Sequence, residues 1–171
     1  MEDFIIRRAT RKNSRAFLKL LDGLAEFEHL DSPDFAGRRR IIEDVFRKKR
    51  ANLLLAFAGR KPAGYAFYFY TYSTFLALPT FYLEDIFVDA EFRRKGLGLA
   101  LFLKCVSEAY KNNCGRFEFA VLTWNKNAIK FYEKFGARKL KEWYSYRMTR
   151  NTIERLAKTK VQSRKQRFRP F

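Results

Sequence analysis

The 171-residue chain is 47% apolar, with 19 Phe and 9 Tyr, which excludes wholesale disorder and gives a single domain enough material for a real core. Its formal charge of +18, from 36 Lys and Arg against 18 Asp and Glu, points to an acidic partner: a cofactor, a nucleic acid or an acidic protein surface. No run approaches the ~18 apolar residues needed to cross a bilayer, and the N-terminus lacks a secretory pattern, so the chain is expected in the cytoplasm with no membrane partner.

Residues 3–8 read as a first strand and Thr10 as the cap of a helix over 12–28, in which Phe17, Leu20, Leu21, Leu24 and Phe27 recur at helical spacing. The window from Leu20 to Gly37 inverts the sign of the chain, with Asp22, Glu26, Glu28, Asp31 and Asp34 and no Lys or Arg. Such a window is either a solvated helix end or an acidic lip that attracts a cation. His29, the single histidine, has no ligand set or catalytic pairing beside it and is given no role. A second helix is expected over 35–49, a buried strand over 52–58, a turn at 59–62 and an aromatic strand over 63–72.

The stretch from Tyr82 to Leu99 organises the rest. It reads as a buried strand ending at Val88, an acidic turn, and a basic loop, Arg93-Arg94-Lys95-Gly96-Leu97-Gly98, that opens an apolar helix over 97–113. A strand that runs into a glycine-containing loop and a helix N-terminus builds an anion cradle from backbone N–H groups. A diphosphate is its expected occupant.

Downstream come a strand over 117–122, a break at Trp124–Asn127, a short helix over 128–135 stopped by Gly136, and a last strand pair over 138–148. Cys105 and Cys114 have neither metal-ligand nor disulfide spacing; they read as structural thiols, and no metal site is expected. Residues 150–171 carry eight Lys or Arg and one Glu. They form either a solvated terminus or an appended basic arm that docks nucleic acid or an acidic protein. The expected division is thus a domain over 1–149 and a basic tail over 150–171.

The order of elements, the Arg93–Gly98 loop after Ile86-Phe87-Val88, and Asn125 followed by Phe131–Ala137 resemble the GNAT N-acetyltransferase superfamily. Within it the chain looks like the spermidine/spermine N-acetyltransferases, over most of residues 3–140. Phe27-Glu28 is similar to that family's Tyr-Glu at the polyamine site. After Thr71-Tyr72, however, Ser73 and Phe75 stand where the polyamine enzymes have an acid and a tryptophan, which weakens the polyamine assignment. The resemblance implies an α/β (α+β) GNAT fold: a mixed, mostly antiparallel sheet of about six to seven strands flanked by about four helices, in a homodimer.

It also implies acetyl transfer from acetyl-coenzyme A to a primary amine by direct attack in a ternary complex. The backbone of Arg94 to Leu99 would hold the coenzyme diphosphate, with Arg93, Arg94 and Lys95 adding charge. Ile86, Phe87 and Val88 would pair with the pantetheine arm through their backbone, and Asn125, Lys126, Asn127, Ala128 and Tyr132 would complete the coenzyme site. An ammonium with a pKa of about 10.4 must lose a proton before it attacks. Glu84 is the expected base, and its neighbour Asp85, on the opposite face of a regular strand, would bind substrate or be held structurally. Tyr132 would protonate the leaving thiolate. Glu28, Asp31 and Glu118 would meet the cation, and Phe27 and Phe75 would pack its alkyl stem. The acceptor reads as a polyamine, a diamine or a lysine-like small amine. The alternative is a lysine of a macromolecule reached through the basic tail.

Overall fold

A computed structural model describes residues 3–159. The chain forms two compact units, Met1–Leu122 and Thr123–Phe171. The first holds strands β1 (Phe4–Arg8), β2 (Asn52–Ala58), β3 (Lys61–Ser73), β4 (Leu78–Val88) and β5 (Arg116–Phe119), with helices α1 (Ser14–Glu28), α2 (Phe35–Phe46) and α3 (Leu97–Lys111). The strands lie in sequence order across one sheet; the first four pair antiparallel and β5 runs parallel to β4. This is the mixed, mostly antiparallel sheet expected from the sequence.

Both faces of the sheet are apolar, and each buries a helical layer. On one face Leu54, Ala56, Ala66, Tyr68, Phe81 and Leu83 pack with Leu97, Leu101 and Cys105 of α3. On the other, Leu53, Leu55, Tyr65 and Phe87 pack with Phe17, Leu20 and Leu24 of α1 and Val45 of α2. Each large side chain buried in this way contributes about 1.5–3 kcal/mol. Cys105 lies fully inside the α3 layer, where burial pushes its thiol up to about 12, and Cys114 is likewise raised by burial. Both cysteines are free, as their spacing suggested. Among the described residues no group of His, Cys, Asp or Glu is placed to hold a metal ion, and no helix is long and apolar enough to cross a membrane.

Two local features set the geometry of β4. A Cβ added at Gly64 of β3 would meet the Phe87 carbonyl oxygen at 2.6 Å, so only glycine permits the two backbones to lie this close. The β3–β4 register then slips by one residue: Phe67 pairs with Asp85 but Tyr68 pairs with Leu83, leaving Glu84 as the extra residue of a bulge.

In the second unit, α4 (Lys126–Lys134) starts at Asn125, whose side chain accepts a hydrogen bond from the Ala128 N–H at 3.1 Å. It ends at Gly136, with φ +88°, the stop that the sequence announced. Helix α5 (Arg150–Ala157) opens the basic tail, with an Arg150–Glu154 ion pair at 2.6 Å. The remainder of that tail, beyond Thr159, lies outside the described residues.

The sheet corrects the expected strand count. The pair over 138–148 does not form, and the described residues contain five strands. Trp143, Tyr144 and Tyr146 are 75%, 86% and 91% exposed, so neither face of that segment is buried and nothing selects a register for it.

Candidate active site

Beyond Val88 the chain makes a 3-10 turn over Ala90–Phe92 and then a loop in which Arg94 and Gly96 take positive φ values, +61° and +84°. Gly96 stands at the N-cap of α3 and supplies no side-chain cap, so the first N–H groups of the helix point outward without one. A Cβ at Gly98 would meet nothing nearer than Val88 Cγ2, at 3.9 Å, and one at Gly96 would meet nothing. Space beside the backbone is therefore open where a diphosphate would have to approach, and the helix dipole favours an anion there. Leu97 is buried and Leu99 half-buried; these two contribute backbone and anchoring, not charge.

The basic side chains of the loop are not all aimed at that space. The Arg93 guanidinium lies over the rings of Phe27, at 4.9 Å, and Phe87, at 5.6 Å, while its Nε donates to the Val88 carbonyl at 2.9 Å. The Lys95 ammonium lies over Phe92. Arg93 thus ties the loop back to the end of β4 and to the last turn of α1 through cation–π contacts.

The outer edge of β4 is only partly used. Strand β5 pairs with Thr80, Phe81, Tyr82 and Leu83 and no further. From Glu84 to Val88 the edge away from β3 has no strand beside it among the described residues, which leaves backbone groups able to bond an extended ligand as a further strand. The side chains of Ile86 and Val88 pack toward α3 and that of Phe87 toward α1, so the residues expected at the coenzyme arm are core by side chain and open by backbone.

The bulge decides where the neighbouring acids go. Glu84, the unpaired residue, is exposed. Asp85 falls on the α1 side with Phe87, where the Tyr65 hydroxyl donates to its Oδ2 at 3.3 Å. Burial, together with the charges of Glu84 and Glu28, lifts the Asp85 carboxyl to about 6, against the opposing effect of the Tyr65 hydrogen bond. Glu28, at the last position of α1, is itself raised by burial. Tyr65, held well above its usual range by burial and by Asp85, is a neutral donor. No described Lys or Arg pairs with Glu28 or Asp85.

The other acids divide. Asp22 is bound by Arg38 at 2.6 and 3.1 Å and by Ser32 at 2.8 Å, and Asp34 caps α2 through the Gly37 N–H, so two members of the acidic window are structural. Glu118, on β5, has Arg116 Nη1 at 3.8 Å. Phe117 and Phe119 turn to the α3 side, which leaves Glu118 on the face that also carries Asp85. Phe75 is placed differently from expectation: it is 97% exposed at the β3–β4 hairpin, where the Ser73 hydroxyl accepts from the Leu76 N–H at 3.3 Å. At ~3.3 Å per residue this hairpin is roughly 20 Å along β4 from Asp85. Neither Ser73 nor Phe75 adjoins the Glu28–Asp85 pair of its own chain.

In the second unit, Tyr132 is buried in α4, its ring 5.3 Å from Phe131, and Asn125 is engaged as the helix cap. Lys126 Nζ donates to the Thr123 carbonyl, Asn127 is exposed and Ala128 is half-buried. One residue of the site, Tyr65, was not singled out from the sequence. Tyr65 is one of nine tyrosines, and only the β3–β4 register sets it diagonal to Asp85. The stacking of Arg93 had no sequence signal at all. The groove between α1 and α2, lined by Leu18, Phe35, Arg38 and Ile42, contains none of the site residues.

Residues 15–137 match the Acetyltransferase (GNAT) family. A thialysine N-epsilon-acetyltransferase of Caenorhabditis elegans is 31% identical over 160 residues, covering 92% of this chain and 99% of that protein. An L-ornithine N5-acetyltransferase of Arabidopsis thaliana is 41% identical over 99 residues, covering 58% of this chain but only 43% of that protein, so the likeness spans less than half of its length. Among solved structures, an integron cassette protein from the mobile metagenome of V. cholerae superposes with a TM-score of 0.78 at 24% identity, covering 93% of this chain and 99% of that one, and shares the fold.

Proposed function

The chain belongs to the Acetyltransferase (GNAT) family and is an acetyltransferase; from that premise we propose that it moves the acetyl group of acetyl-coenzyme A onto the primary amine of a small cation of the ornithine, lysine or diamine class. The observation that carries this reading is the pair Glu28 and Asp85, both raised by burial and without a cation among the described residues, beside the open edge of β4. A buried negative charge with no partner is costly, and an alkylammonium supplies what is missing.

The open loop at Gly96 and Gly98 with the N-terminus of α3 supports coenzyme binding through its diphosphate. The unpaired backbone of Ile86 to Val88 supports an extended pantetheine arm. Acetyl-coenzyme A supplies an activated carbonyl. The chain's part is to orient it, to take a proton from the ammonium through the Glu84–Asp85 segment, and to return one to sulfur. In this reading the amine nitrogen attacks the carbonyl carbon directly in a ternary complex, a C–N bond forms, and the C–S bond breaks with its electron pair on sulfur. Tyr132 is the proposed donor to that sulfur, on the likeness of Asn125 to Ala137 to the family's second signature. Relatives named for ornithine and thialysine support a short amine carrying a second charged group.

The test is thiol release from acetyl-coenzyme A against L-ornithine, L-lysine, thialysine, putrescine, spermidine and a lysine peptide. Turnover is expected on the short amines above the peptide. Turnover on the peptide alone would replace this reading by a macromolecular acceptor, and none on any amine would overturn it. Tyr132→Phe is expected to lower kcat by about 10²-fold or more, in the range of a lost general acid, with coenzyme affinity changed little.

A further inference from the structure

We propose that Asp85, and not the exposed Glu84, is the group that takes the proton from the attacking ammonium, with Tyr65 and Glu28 as the positioning residues that tune it. This rests on the acetyl-transfer reading above.

The bulge is the first reason. A regular strand would set Glu84 and Asp85 on opposite faces with equal standing; the extra residue instead leaves Glu84 outside the ladder, exposed to solvent, and brings Asp85 onto the face that packs against α1. Surroundings are the second. From β3, the Tyr65 hydroxyl donates to Asp85 Oδ2 and fixes the carboxylate. From α1, Glu28 presents a second carboxylate, and on β4 itself Glu84 adds a third charge. Arg93, beyond the end of β4, is engaged by Phe27, Phe87 and the Val88 carbonyl. Asp85 is therefore an acid that the described residues orient but do not neutralise. A base of this kind, with its carboxyl lifted to about 6, is half-titrated close to working pH, where proton transfer is most effective.

The step balances as follows. One ammonium proton passes to Asp85, and the freed nitrogen lone pair forms the C–N bond as the C–S pair moves to sulfur. A second N–H proton ends on that sulfur, and Asp85 returns its proton to solvent. One amide, one thiol and one proton leave.

The experiment is the pH dependence of kcat/KM at saturating acetyl-coenzyme A, with L-ornithine or whichever amine of the panel turns over fastest. Wild type is expected to show an acidic limb near pH 6. Asp85→Asn should lose that limb and ~10²–10⁴ of its rate, while losing no stability and keeping coenzyme A binding. Tyr65→Phe should move the limb to higher pH, because a bond that favours the charged carboxylate is gone. Glu28→Gln should move it lower, because a repelling charge is gone. Glu84→Gln should keep the limb but also move it lower, because its repelling charge on Asp85 is gone, and lose less than tenfold. These opposite shifts keep the proposal testable even where Asp85→Asn does not fold. A limb that stays in place in Tyr65→Phe and Glu28→Gln but vanishes in Glu84→Gln would give the proton to Glu84 and leave acetyl transfer standing. Absence of turnover on every amine by wild type would instead remove the reading beneath both.

Discussion

Asp22 and Glu28 lie on the same helix, six positions apart, and the chain treats them in opposite ways. Asp22 receives two hydrogen bonds from Arg38 and one from Ser32, and the Arg38 bond leads in holding its carboxyl below the usual range. Glu28 is desolvated at the C-terminal end of α1, where the helix dipole is already negative. It faces Asp85 and has no described cation beside it. An acid whose cation comes from the chain serves the fold. An acid left without one among the described residues is, in the proposed reading, where an ammonium from solution binds.

That contrast is broken most severely by removing both unneutralised acids. Glu28→Gln combined with Asp85→Asn should lower kcat/KM for the amine by more than about 10³-fold and raise the melting temperature, since each change removes a desolvated charge. A fall in melting temperature would show that the pair is structural after all.

Next in size is the pH dependence of stability. A carboxyl raised to about 6 in the folded state, against an ordinary value near 3.9, contributes stability that is fully present below the lower value and lost as pH rises through the higher one. Urea unfolding should therefore find Asp85→Asn more stable than wild type by about 2–3 kcal/mol at pH 7, with the difference closing by pH 4. Asp22 runs the other way: its lowered value gives stability present at neutral pH and lost only as pH falls through the acid range.

Smaller again is Asp22→Asn. Its pair is half-open to solvent, with side-chain exposures of 32% and 43%, so about 1 kcal/mol of stability should go while KM for the amine stays as it was. A changed KM would put Asp22 in the acceptor site and erase the distinction. The smallest effect is the slight rise in melting temperature expected of Glu28→Gln alone.

The sequence made most of the sheet, both helical layers and the glycine loop that opens α3 legible, because each rests on local pattern. Phe17, Leu20 and Leu24 repeat at helical spacing, and Gly96 with Gly98 stands between an apolar strand and an apolar helix. The pairing of Tyr65 with Asp85 was hidden for a physical reason. Residues 78–88 are nearly continuous in apolar character, so no alternation survives to reveal that one residue is out of step. Trp143, Tyr144 and Tyr146 misled in the opposite sense: they carry strand propensity, and propensity without a buried face does not make a strand.

The slip at Glu84 has a consequence for anyone altering this chain. Ahead of it, the odd-numbered residues Phe81 and Leu83 belong to the α3 layer; after it, Asp85 and Phe87 belong to the α1 layer. Strand β4 is two reading frames spliced at one codon. A library that assigns the two layers by parity along its whole length would place every position on one side of Glu84 in the wrong layer. Excising Glu84 alone is the rare deletion that both halves of the strand are already in phase to accept.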